Sequence, residues 1–366
     1  MTTLADVAKI AGVSVSTASR VLNQSKLAER ISNECAARVR AVAADLGYVA
    51  GYHRRALRDR RTETLGVAVD IAGPHEAIDR RRGIGSRYLG ALVGAIERTT
   101  HLEGRNLELI VPREHERALP RGVGQLREKR IDGLVVPLVS NLPEVTVFLT
   151  EAPDLPVAVV QPGVPTELPA VYFDHAAATR LAVEHLADLG HKTMLWLAPQ
   201  PGKHGGPYEL RENGFMRAAL AHGVRASFCH IDKRSDPTCV RDDETMRTQA
   251  EAALEQYLRQ SPELPTGLVC GNDVMAVAAC RALLRHGLRI PKDVSVVGID
   301  NTDPATQLIR LTTVDHMLGE MARRATEIVL EMSDGDEQAR RRCRGHSETI
   351  QPELVVREST APPPER

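Results

Sequence analysis

The sequence predicts an all-α helix-turn-helix headpiece in front of a larger two-lobed α/β body with parallel sheets. Three observations carry this reading. Residues 1–48 hold three short amphipathic helical patterns, with a glycine between the first two. From Leu65 onward, continuous apolar runs alternate with helical stretches. Charge is also split unevenly: residues 1–61 carry 11 Lys/Arg against 5 Asp/Glu, which leaves 36 against 43 of the chain's 47 and 48 for the remainder. An electropositive head on an electronegative body points to a polyanionic partner for the head alone.

In TLADVAKIAGVS, Thr3 with Asp6 three residues on makes a start of capping-box type, and Leu4, Val7, Ala8 and Ala11 share one face. Gly12 suits a left-handed stop, and Ser14 can cap a second helix at once. There Ala18, Val21 and Leu22 form the inward stripe, leaving Val15, Ser16 and Arg20 outside. A third helix follows Ser32 as N-cap, with Val39, Val42, Ala43 and Leu46 periodic and Gly47 as its stop. Two helices joined by a tight glycine turn on a basic surface read as a helix-turn-helix. The small hydroxyls of VSVSTASRVLN then have a purpose. They let the helix backbone approach DNA closely and donate to phosphates, while Arg20 can fork onto guanine O6 and N7 in the major groove. The alternative is a serine-rich solvated face on an ordinary three-helix bundle.

The next segment, YVAGYHRRALRDRRT, sets five arginines around Leu57. Folded as a short hinge helix against the minor groove, its arginines meet phosphates and Leu57 becomes a wedge that parts a base step. A solvated basic linker whose leucine docks on the body is the other reading.

In the body, LGVAVDI (65–71), LELIV (107–111), DGLVVP (132–137), PVAVVQ (156–161), TMLWLAP (193–199), TGLVCGND (266–273) and VSVVGID (294–300) read as strands separated by amphipathic helices. Continuous apolar strands joined by helices indicate parallel sheets covered on both faces. The length exceeds one comfortable doubly wound sheet, so two similar lobes are expected, with ligand in the cleft at the strands' carboxyl ends. The expected organisation is a headpiece over 1–48, a hinge helix and linker over 49–61, and a body over 62–366, the chain crossing between lobes near 162–169, 301–304 and 331–335.

Composition narrows the function. No run of about 18 apolar residues exists, and the start lacks the order of a signal peptide, so a cytoplasmic, nucleoid-associated protein without membrane contact is expected. The six cysteines form no CxxC pair and read as reduced, mostly buried thiols. GxGxxG after a strand, GxxxxGK[ST] and GxSxG are all missing, and the histidines lack metal spacing. We therefore expect no enzyme, no catalytic residues, no cofactor and no metal.

Together TLADVAKIAGVSVSTASRVLN, RRALRDRRTETLGVAV, DGLVVP, LADLGHKT, RENGF, GNDVMA, VSVVGIDN, LTTV and PELVVREST resemble, in order and spacing, the lactose-repressor family of bacterial transcription regulators. The resemblance implies a body like type I periplasmic binding proteins, a homodimer reading a pseudo-palindromic operator in double-stranded DNA, a hinge helix, and a small-molecule effector between the lobes. It puts Ser14, Val15, Ser16, Thr17, Ser19 and Arg20 at operator-contacting positions, Val15 and Ser16 setting specificity, with Asn23 on the DNA backbone and Leu57 as the minor-groove lever. Thr3 and Arg54 complete the expected DNA-binding set. It aligns Arg211, Asn272 and Asp300 with polar effector contacts, and Gln161 stands at a pocket position where many members have aspartate.

A carboxylate, a guanidinium and an amide together suit a sugar or sugar derivative. Tyr88, Phe173, Trp196 and Tyr208 are the aromatic candidates to stack on it, with core packing the favoured role for Trp196. Against the ligand roles, Asp300 and Asn272 could cap the following helices and Arg211 could form an interlobe ion pair. Asp273 is expected to be a helix cap.

Overall fold

The computed structural model describes residues 2–22, 31–48, 61–69, 87–111, 118–137, 155–161, 166–201, 206–231, 243–261, 263–302 and 305–365. Asn23, Arg54 and Leu57 lie outside these residues, as does Cys239.

The described residues of the headpiece form α1 (Leu4–Ala11), α2 (Val15–Leu22) and α3 (Asn33–Asp45). Thr3 and Asp6 close the capping box in both directions, and Gly12, at φ 64°, lets the Val13 amide turn back to Ala8 O at 3.0 Å. Ser32 caps α3 through the Cys35 amide. Leu4, Val7, Ala8, Ala11, Ala18, Val21, Ala36, Val39 and Ala43 form a small separate core. Small side chains dominate it, so three short helices can pack closely.

Among the described residues the body holds two six-stranded sheets. The first contains β1 (Thr64–Ala68), β2 (Asn106–Ile110), β3 (Gly133–Pro137), β4 (Val157–Val160), β5 (Ala170–Phe173) and β11 (Ser347–Ile350), all parallel, in the order β11-β5-β4-β3-β1-β2. The second contains β6 (Thr193–Pro199), β7 (Arg225–Ile231), β8 (Gly267–Cys270), β9 (Ser295–Asp300), β10 (Thr312–Asp315) and β12 (Glu353–Val355), in the order β12-β10-β9-β8-β6-β7. Among the described strands only β12 is antiparallel to its neighbour. The inner strands β1, β3, β4 and β8 are buried at every residue, which is why they read as unbroken apolar runs.

Five strands escaped the sequence pattern: β5, β7, β10, β11 and β12. The edge strands β7, β11 and β12 are part-exposed, and β10 buries two threonines that look polar in sequence. Missing them displaces the crossings. The chain passes between sheets at 173–175, at 315–318 and at 350–353, not near 162–169, 301–304 and 331–335. The reason is that β5 and β10 each extend their own sheet before the chain leaves it.

Helices α4 (Arg87–Leu102), α5 (Ala118–Arg127) and α11 (Leu318–Asp334) pack on the first sheet or on each other. On the second, α6 (His175–Asp188), α7 (Pro207–Ala221), α8 (Asp243–Gln260) and α9 (Asp273–Arg285) do the same, with the short α10 (Ala305–Leu308) against α9. Cys35, Cys229, Cys270, Cys280 and Cys343 are free thiols, all but Cys35 buried. No described helix is long and apolar enough to cross a membrane.

Candidate functional site

Two surfaces gather the candidate residues. On the headpiece, α2 turns Val15, Ser16 and Arg20 outward, with Val15 49% exposed although it is a large apolar side chain. Thr17 and Ser19 are half-buried on the shoulder of the same helix. Ser14 is exposed, but its hydroxyl has local work: it accepts from the Thr17 amide at 3.0 Å and lies 2.8 Å from both Ser16 Oγ and Thr17 Oγ1. It starts the helix and links the hydroxyls next to it. Thr3 is likewise exposed and engaged with Asp6. Arg38 belongs to the scaffold, donating to Ala11 O at 3.0 Å at the end of α1.

The second surface lies where the lobes meet. Tyr88 enters from α4, Gln161 follows β4 and Phe173 ends β5, all on the first lobe. Arg211 comes from α7 and Asp300 from the end of β9, on the second. Two residues absent from the sequence-based set complete it: His175, just past the first crossing, and His316, on the second. Arg211, Asp300, His175, His316 and Gln161 are all buried, Arg211 to 4% exposure and His316 to 1%.

Hydrogen bonds assign the protons. Burial first, and the Arg211 charge second, push both imidazoles well below their ordinary pKa, so they are neutral. His175 Nδ1 accepts from Arg211 Nε at 3.2 Å, so its Nε2–H donates to Gln161 Oε1 at 2.9 Å. Gln161 Nε2 therefore points at His316 Nε2, which must accept, and at Tyr88 Oη, 3.2 Å away. Tyr88 O–H lies 3.2 Å from His316 Nε2 and donates there as well. The His316 proton is thus on Nδ1, directed at Asp300 Oδ1 at 3.0 Å. Arg211 Nη2 lies 3.3 Å from that Nδ1, but both atoms carry hydrogen, so the contact is not a bond in this assignment.

Arg211 also donates to Gly271 O and, across 3.2 Å, to Asp300 Oδ1. Burial nevertheless raises the Asp300 carboxyl to about 6, against the downward pull of Arg211. Burial raises the Tyr88 hydroxyl too, keeping it a donor. Phe173 stacks on His316, centroids 3.7 Å apart, and Tyr88 meets the same ring edge-on at 4.8 Å.

Local sequence explains these placements. Gly214 of RENGF lets α7 lie against α6, because a Cβ there would sit 2.5 Å from Ala176 O; Thr179 Oγ1 then donates to Arg211 O at 2.8 Å and fixes the arginine's turn of helix. Gln161 (φ 57°), Asp300 (φ 115°) and Met317 (φ 54°) hold left-handed backbone around the cluster, a strain of about 1–3 kcal/mol each that the surrounding packing sustains. Both new histidines follow an aspartate at a strand end, FDH at 173–175 and VDH at 314–316. That repeated dipeptide was the available signal.

Asn272 does not join the cluster. Its Oδ1 caps α9 through the Met275 amide at 3.0 Å, and its Nδ2 lies 3.3 Å from Tyr208 Oη, whose ring faces Arg211. Asp273, expected as a cap, is instead a buried clamp on Thr313 Oγ1 at 2.6 Å and the Thr302 amide at 3.2 Å, accommodated by Gly298. Trp196 is core, its Nε1 donating to Glu212. Arg211 does form an ion pair with Asp300, within its own lobe, so the reading of it as an interlobe pair is corrected: both residues belong to the second lobe, and within this cluster the links between lobes run through Tyr88, Gln161 and the two histidines, with Arg87 and Asp243 joining α4 to α8 beside it. Among the described residues no group of His, Cys, Asp or Glu gathers as a metal site.

A three-helix DNA reader in front of a two-lobed body, with a buried polar cluster where the lobes meet, defines a class: DNA-binding regulators that carry a body of solute-binding type. Comparison with known proteins agrees. Residues 3–50 match the model for bacterial regulatory proteins of the lacI family, and residues 183–360 match that for a periplasmic binding protein-like domain. The repressor PurR of Pasteurella multocida is 26% identical over 361 residues, covering 98% of each chain. The regulator DegA of Bacillus subtilis is 27% identical over 373 residues, covering 99% of this chain and 98% of its own. A crystal structure of the Lac repressor dimer bound to operator and the anti-inducer ONPF superposes with a TM-score of 0.73 at 24% identity, over 98% of this chain and 99% of that one. The chain thus carries a DNA-binding domain of the lacI family joined to a periplasmic-binding-protein-like domain. It is a DNA-binding transcriptional regulator, and its relatives are regulators rather than enzymes.

Proposed function

We propose that this protein is a homodimeric repressor whose grip on a pseudo-palindromic operator is set by a small-molecule effector, a sugar or sugar derivative, held between the two lobes. The observation that carries the reading is the interlobe cluster, in which Tyr88, Gln161 and Phe173 of one lobe converge on Arg211 and Asp300 of the other around two neutral histidines. Forked donor, carboxylate, amide and aromatic faces side by side suit vicinal hydroxyls on a flat-faced ring. Proteins of this fold solved with cellobiose and with ribose make sugars the natural first screen. On DNA, Val15, Ser16 and Arg20 read base edges, with Ser14, Thr17, Ser19, Thr3 and Asn23 at the backbone. Arg54 and paired Leu57 side chains serve the minor groove.

A thermal-shift screen of the full chain against sugars, sugar phosphates and nucleobases tests the effector. A ligand at one hundred times its Kd adds about 2.7 kcal/mol of stability, an unmistakable rise in melting temperature. If a nucleobase shifts the transition and no sugar does, the sugar assignment is wrong. Equal, salt-suppressed retention on every duplex recovered from a random-sequence selection would remove the operator-reading role.

A further inference from the structure

One helix connects the interlobe cluster with the place where the chain leaves for the headpiece. α11 begins directly after His316 and Met317, and near its start Met321 Sδ lies 3.8 Å from Gln161 Nε2. It runs 17 residues, about 25 Å at 1.5 Å per residue, and ends on Asp334.

Asp334 is forked. One carboxylate oxygen meets Arg61 at 3.0 Å, the other meets Arg105 at 2.6 Å, and its backbone carbonyl takes a second bond from Arg61 at 3.1 Å. Arg105 reaches on to Asp132 at 3.8 Å. Asp132 in turn accepts from the Thr62 amide at 2.8 Å and the Glu63 amide at 2.7 Å. Residues 61–63 are therefore clamped by two aspartates, one of which is the last residue of α11. The helix is also seated on the strand behind the other. A Cβ on Gly133, the residue after Asp132, would run into Val329 Cγ1, so α11 touches the backbone at the clamp with no side chain between. Buried Met321, Ala322, Ala325, Ile328 and Val329 bind the helix into the first lobe's core, so it moves as one body.

We propose that α11 is the rod that delivers the state of the cleft to the DNA linker, with Asp334 as the positioning residue that turns its movement into a change at residues 61–63. His316 is pinned by both lobes, so whatever separates or joins its partners displaces the start of the rod. The biological meaning rests on the cleft being the effector site, but the link itself is tested without ligand.

Hydrogen exchange at the Thr62 and Glu63 amides of the full chain, read by mass spectrometry, reports the clamp directly. Four proteins are compared: native, Gln161→Ala, Asp334→Ala and the double variant. Gln161→Ala, at the far end of the rod, should speed exchange at these amides at least threefold, and by less than half that factor on the Asp334→Ala background. Repeating the cycle with His316→Gln protects against a cleft variant that fails to fold. Acceleration below threefold in both cleft variants, or acceleration not so reduced when Asp334 is absent, overturns the proposal, since a merely structural Asp334 would raise exchange additively. Failure of every ligand screen would leave this result untouched.

Discussion

Replacing Arg211 by methionine keeps most of the side chain's length but leaves the Asp300 carboxylate, 8% exposed, without its cation. Breaking a buried pair from one side costs about 3–5 kcal/mol. Asp300 has one escape. Its carboxyl stands at about 6 even beside the guanidinium, and it rises further when that charge is gone. For an acid whose folded pKa is raised, the stabilising contribution is complete below the unfolded value and lost as pH climbs through the folded one. In Arg211→Met that loss moves to higher pH. The variant's deficit against the native protein is therefore fullest at pH 8 and shrinks on acidification by up to about 1.4 kcal/mol per pH unit. Release of His175 and His316 from the arginine's repulsion acts in the same direction, because both become easier to protonate in the variant.

Urea unfolding followed by fluorescence of Trp196, the sole and fully buried tryptophan, reads the difference. We expect a deficit of about 3–5 kcal/mol at pH 8, smaller by at least about 1 kcal/mol at pH 6. Adding Asp300→Asn should recover more than half of it. A deficit equal at both pH values, or a double variant no more stable than the single, would refute this account of the cluster.

Other outcomes follow from single contacts. Gly214→Ala sets a methyl against Ala176 O and Thr179 Oγ1; overpacking of this kind costs about 1–3 kcal/mol, and it should also weaken any cleft ligand in calorimetry by moving Arg211. Ser14→Ala removes the acceptor of the Thr17 amide and should cost about 1 kcal/mol of headpiece stability in a thermal melt. Arg20→Ala should lower affinity by about 1–3 kcal/mol and relax preference at one position per half-site, whereas equal weakening on all sequences would make it a phosphate contact. His175 is held neutral, so its contribution is present above 6.5 and lost as pH falls. His175→Asn should therefore lose less stability than the native protein between pH 6.5 and 5.5, and a wider loss would contradict the assigned tautomers.

The headpiece was almost wholly legible because its determinants are local. Capping by Thr3 and Ser32, the left-handed turn at Gly12 and the stripe from Leu4 to Ala11 each depend on residues within one or two helical turns. The body was legible where strands are buried on both faces, as in LGVAV and GLVVP, and illegible where burial depends on neighbours far along the chain. Thr312 and Thr313 look like loop residues until Ser359 and Asp273, at a distance in sequence, take up their polar atoms. The same limit hid His175 and His316, since a histidine following a strand looks alike whether it faces solvent or a guanidinium.

From its order of residues alone, this protein declares a basic three-helix reader and an α/β body, because capping, periodicity and charge act over short stretches; Arg211 and Asp300 were singled out by motif resemblance. Which lobe each strand joins, where the chain crosses, and that two imidazoles link the lobes around one buried ion pair were decided by packing. The physical reason is that desolvation and proton placement belong to a site, and this site is assembled from segments more than two hundred residues apart.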